Sequence, residues 1–111
     1  MADAKPERGG VEVFTLLVEL GRARDDGLPE GATGGAFLCY AAGRDEAEAV
    51  RETVAVLKTA GLNPLEVTGQ GTLAERRAAG EEIGPEDEAL MARALAENAV
   101  IVAQKTWFGD A

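Results

Sequence analysis

The stretch AFLCYAAGRDEAEAVRETVAVLKTAGLNPLEV, residues 36–67, changes its apolar rhythm twice, and those changes set the fold class. Ala36–Ala41 is a short run of apolar and aromatic residues, as in a strand. From about Asp45 to Ala60 the spacing becomes helical. Ala47, Val50, Val54 and Leu57 recur at i, i+3, i+7 and i+10, which predicts one buried stripe. Asp45, Glu46 and Glu48 load the first turn, where carboxylates oppose the helix dipole, and Gly61 stands where a left-handed closing residue is wanted. Leu62–Val67 then reads as a second strand, with Pro64 confined to its start or to a sheet edge because proline has no N–H to donate.

Upstream, Val11–Leu20 alternates with period two. Phe14, Leu16, Val18 and Leu20 share one face, and Thr15, Leu17 and Glu19 share the other. Residues 21–35 carry five glycines and one proline, a composition that predicts a long mobile loop. Across it, Ala36–Ala41 is expected to pair antiparallel with the first strand. Downstream, Thr72 and Glu75 form a T-x-x-E capping box, which predicts a short helix from Leu73 to Ala79 closed by Gly80. Pro85 opens a further helix, with Glu86, Asp87 and Glu88 in its first turn, an apolar stripe of Leu90, Met91, Ala94 and Leu95, and Asn98 at its end. Ala99–Ala103 (AVIVA) is apolar throughout, as in a strand buried on both faces, and Gln104–Thr106 continue it.

At 111 residues the chain fits one domain. We expect a flexible tail over residues 1–10, a single α+β domain over 11–106 and an aromatic C-terminal tail over 107–111. The expected fold is a two-layer α/β sandwich: a four-stranded mixed sheet with two main helices and one short helix on one face. Over Val11–Thr106 this element order resembles the ferredoxin-like small α+β proteins, without a shared motif and with the Gly-rich loop standing where the first crossover helix would be. Many of those proteins are homodimers whose sheets pack face to face, and some bind ligands between sheet and helix.

Composition narrows the chemistry. Twenty Asp and Glu against eleven Lys and Arg give a net charge of −9, and Arg76-Arg77 is the longest basic run. Nucleic acid and anionic membrane surfaces, which both need a cationic face, are therefore not expected partners. The chain has no histidine and one cysteine. A Ser-His or Cys-His catalytic pair, an imidazole–thiolate zinc site and an internal disulfide are thereby excluded. No catalytic constellation, cofactor or metal site is expected. The N-terminal MADAKPERGG lacks the apolar core of a signal peptide, and a cytoplasmic location is the expectation.

Two sites stand out. Gly69-Gln70-Gly71-Thr72 follows a strand and precedes a helix, as a phosphate-holding turn would, with Arg76 and Arg77 one turn on. The other is an apolar face left over if Phe14, Leu16, Val18 and Leu38 lie under the helices. Leu17, Phe37 and Cys39 then share the open side, near Trp107 and Phe108. The second feature favours a non-enzymatic module that homodimerises through its sheet and binds a protein partner. The first supports the alternative, a small-ligand or anion-binding protein or a cofactor-free enzyme. Cys39 alone reads as a small buried residue, since nothing adjacent in sequence activates a thiolate.

Overall fold

The computed structural model describes residues 10–109, so the tail expected over residues 1–10 lies outside the described residues except for Gly10, which is buried. The elements follow the order β1 (Glu12–Gly21), β2 (Ala32–Gly43), α1 (Glu46–Thr59), β3 (Asn63–Thr72), α2 (Leu73–Ala78), α3 (Pro85–Glu97) and β4 (Val100–Gly109). The fold is α+β, with the strand order β3-β1-β2-β4.

The helix ends are where local chemistry places them. The Asp45 side chain accepts the Glu48 N–H at 2.8 Å and caps α1. Gly61, with φ at +88°, closes it. The Leu62 N–H reaches back to the Leu57 carbonyl at 3.0 Å, and Leu62 packs on the core beside Leu57. Pro85 occupies the first turn of α3, and Asn98 ends it in the left-handed conformation. The buried stripe of α1 is rotated from the expected one: Ala49, Thr53 and Leu57 are buried, Val50 and Val54 flank them, and Ala47 is exposed. The reason is close approach to β2. A Cβ on Gly43 would stand 2.9 Å from the Ala49 nitrogen, so only a small residue fits at the centre of that contact.

The sheet is antiparallel throughout rather than mixed. β2 and β3 run in the same direction, but β1 lies between them, so α1 crosses over a strand rather than joining parallel neighbours. β1 leads to β2 through a loop, which departs from the β-α-β-β-α-β order of ferredoxin-like proteins.

The helices also do not share one face. Phe14, Leu16, Val18, Leu20, Phe37, Cys39 and Ala41 pack with Ala49 and Leu57 of α1, joined by Val67, Val100 and Val102. On the opposite face Val13 and Tyr40 pack with Met91 and Ala94 of α3, joined by Leu73, Ile83, Leu90, Ile101 and Ala103. Three layers result in place of the expected two. β4 explains why: alternate residues of its apolar run serve different helices, and a single covered face would have left Ile101 and Ala103 in water.

The long loop shrinks to residues 22–31, because β2 begins at Ala32. It is organised around Asp26. This buried carboxylate accepts the Ala23 and Leu28 N–H groups at 2.7 and 2.9 Å and pairs with the Arg22 guanidinium at 2.9 Å. The expected loop over residues 21–35 is thus shortened: the glycines bend the chain, and one carboxylate ties the bend together.

Candidate functional site

Gly69–Thr72 forms the end of a strand rather than a free turn. Gly69 pairs with Leu16 and Gly71 with Thr15, and Gln70 is accommodated by an irregularity in the β1–β3 ladder. Gly71 has φ at +104°, a conformation that suits glycine and marks a bulge. Thr72 caps α2. The Thr72 N–H donates to Glu75 Oε1 at 2.8 Å, and the Glu75 N–H donates to Thr72 Oγ1 at 3.0 Å. Two donors at this helix start, the Thr72 and Glu75 N–H groups, are therefore bonded within the capping box, beside a resident carboxylate.

Arg76 and Arg77 are engaged in other partnerships. Arg76 donates to Thr15 Oγ1 on the sheet and to Glu81 Oε1, both at 2.9 Å. Arg77 forms an ion pair with Glu88 of α3. Nearby, Tyr40 Oη donates to Asp87 Oδ1 at 2.7 Å. Burial, reinforced by this carboxylate, pushes the Tyr40 hydroxyl up to about 12. Together these contacts form a polar seam between the sheet and the α2–α3 pair. Next to it an apolar groove of about 490 Å³ runs along Val13, Leu73, Pro85, Met91 and Leu95.

The five residues expected on one open apolar face divide between two faces. Val18 stands opposite Phe37 and Leu16 opposite Cys39, so Phe37 and Cys39 lie beneath α1 and are buried. The expectation had Leu38 there, one residue out of register, and a one-residue slip exchanges every side chain between faces. Burial pushes the Cys39 thiol up to about 12, which keeps it protonated at neutral pH. Trp107 meets Phe37 edge to face, with ring centroids 5.8 Å apart, and Lys105 Nζ lies 5.5 Å from the Phe37 centroid. Trp107 and Phe108 belong to β4, where Trp107 pairs with Gly35 and Phe108 with Gly34, so the expected aromatic tail is strand up to Gly109. Residues 110–111 lie outside the described residues.

Leu17 and Phe108 do meet, on the face that carries α2 and α3 but beyond the reach of those helices. With Glu19, Ala36, Glu66 and Thr68 they line a groove of about 260 Å³. Leu17 is 40% exposed, Phe108 39% and Trp107 37%. Glu19 and Glu66 stand directly opposite each other on β1 and β3. Period-two alternation already put Glu19 on the side of Leu17. The part played by Glu66 had no local signal, because it depends on pairing between strands distant in sequence.

Among the described residues no group of three or more His, Cys, Asp or Glu is placed to hold a metal ion, and no helix is long and apolar enough to cross a membrane. No curated protein matches the chain, and no solved structure matches it. One family model does match, over residues 13–109, a span that runs from the second residue of β1 to the last of β4. The chain belongs to that family, described as a domain of unknown function (DUF8846).

Proposed function

We propose that this protein is a non-enzymatic acidic module that self-associates and binds a protein partner through the end of its sheet formed by Leu17, Trp107 and Phe108. The observation that carries this reading is the state of β4. It is an edge strand of ten residues whose far half, Gln104–Gly109, is exposed, with one aromatic side chain on each face. An open edge offers unpaired N–H and C=O groups to another strand, and half-exposed aromatic residues beside it supply apolar contact. Antiparallel pairing of two β4 edges would continue the sheet across a two-fold axis and give Trp107 and Phe108 apolar contact along that edge, leaving the groove beside Leu17 open. Phe37 and Cys39, buried beneath α1, take no part in this version of the interface. A cytoplasmic location belongs to the same proposal.

The alternative, an anion held at Gly69–Thr72 by Arg76 and Arg77, has weaker support. The Thr72 and Glu75 N–H groups and both arginines already have partners. Phosphate should leave the thermal midpoint unchanged, and a saturable rise lost in Arg76→Ala would revive that reading.

Sedimentation velocity tests the main proposal. The wild type should sediment as a dimer at micromolar concentration, and Phe108→Lys should sediment as a monomer with an unchanged circular dichroism spectrum. A wild-type chain that stays monomeric throughout that range removes the self-association.

A further inference from the structure

The geometry points to a cationic peptide segment as the partner of the Leu17–Phe108 groove, held by Glu19 and Glu66. This rests on the proposed binding of a protein partner and specifies its chemistry. The six lining residues comprise two carboxylates, a threonine and three apolar residues, and include no cation. The carboxylates are not scattered along a rim. Glu19 and Glu66 are direct cross-strand partners on β1 and β3, an arrangement in which side chains stand about 5 Å apart and like charges repel. Neither forms an ion pair among the described residues. The sheet therefore sets two carboxylates side by side at the groove, and a single ammonium or guanidinium between the two would bridge them.

The spacing adds the rest of the recognition. Leu17 is two residues from Glu19 along β1, so the two side chains lie on one face roughly 7 Å apart. An extended peptide has the same repeat. A segment with Arg or Lys at one position and an apolar residue two positions away would set its cation between Glu19 and Glu66 and its apolar side chain over Leu17, Ala36 and Phe108. The methylenes of the cationic side chain would lie along the same floor. A second copy of this chain would meet the β4 edge rather than this groove, whose two carboxylates call for a cation.

The test uses the full chain and fluorescein-labelled serine-rich peptides with arginine at the centre and leucine at the second position on either side. Fluorescence anisotropy should show saturable binding. Substituting both carboxylates, Glu19→Gln with Glu66→Gln, should weaken it about tenfold, the loss expected for a hydrogen-bonded charge contact. Leu17→Ser, and peptides with serine in place of leucine, should weaken it as well. Glu52→Gln with Glu82→Gln removes the same charge from exposed positions elsewhere and should leave the affinity unchanged. Equal weakening in that remote pair would reduce the effect to general attraction and overturn the inference, as would a wild type that does not saturate. Sedimentation of the same samples separates the two readings. A monomer that binds the peptide removes only self-association, and a dimer that does not bind it removes only this inference.

Discussion

Tyr40 Oη and Asp87 Oδ1 lie 2.7 Å apart, so the middle of β2 is bonded to the first turn of α3. The phenol is buried and its acceptor is charged. Tyr40→Phe should therefore cost about 1.5 kcal/mol of stability, the lower end for a hydrogen bond to an ionised group, measured by urea denaturation. Titration provides a second reading. The chain has one tyrosine, so phenolate absorbance reports Tyr40 alone. With the folded hydroxyl at about 12 and the unfolded one near 10, this contribution to stability is complete below pH 10 and lost between roughly pH 10 and 12. A native midpoint near 10 would contradict both the burial of the phenol and its bond to Asp87.

Cys39 is fully buried at the centre of the α1 face, and its thiol is pushed up to about 12. The thiolate is the reactive form, so a disulfide reagent at pH 8 should leave the folded protein unmodified over hours and react at once in denaturant. Rapid reaction of the native protein would mean that α1 opens away from β2.

Asp26 should make the 22–31 loop acid-sensitive. The Arg22 guanidinium and the Ala23 and Leu28 N–H groups hold its carboxyl well below the usual carboxylate range. A depressed folded value gives stability that is present above the unfolded value, near 3.9, and lost as pH falls below it. Wild type should therefore lose more of its thermal midpoint between pH 5 and pH 2 than Asp26→Asn does. Parallel curves for the two proteins would show that the loop bonds contribute nothing.

Thr53 lies fully buried in α1, and its Oγ1 has no hydrogen-bond partner among the described residues. A buried hydroxyl without a partner destabilises the fold, and valine has nearly the same shape with a methyl group in its place. Thr53→Val should stabilise the protein by about 1 kcal/mol, seen as a higher urea midpoint at unchanged slope. A loss of stability would mean that the hydroxyl bonds to a buried water or to the helix backbone.

Short-range chemistry made much of this protein readable. Asp45 and Glu48, Thr72 and Glu75, Pro85 and Asn98 each act within one helical turn, and each stands where the spacing predicted. Strand ends were harder. The Gly69–Thr72 segment looks like a turn by composition, yet β1 keeps it in the ladder by pairing Thr15 with Gly71 across a bulge. Likewise the Gly34 and Gly35 backbones belong to β2 because Phe108 and Trp107 of β4 pair with them.

The candidate site divides the same way. Leu17 and Glu19 share a face by alternation alone, and Trp107 and Phe108 were conspicuous as aromatic residues near the chain's end. Their grouping with Ala36, Thr68 and Glu66 comes from the strand order β3-β1-β2-β4. What the sequence alone determined was the set of elements, most of their caps and the exclusion of histidine chemistry, an internal disulfide and a Cys/His zinc site, because those depend on residue types and on neighbours within a few positions. Only the tertiary structure decided that Phe37 and Cys39 lie beneath α1 and that α3 covers the other face. Side chains alternate along a strand, so a register shift of one residue reverses the faces, and register depends on hydrogen bonds to distant strands and on the burial they share.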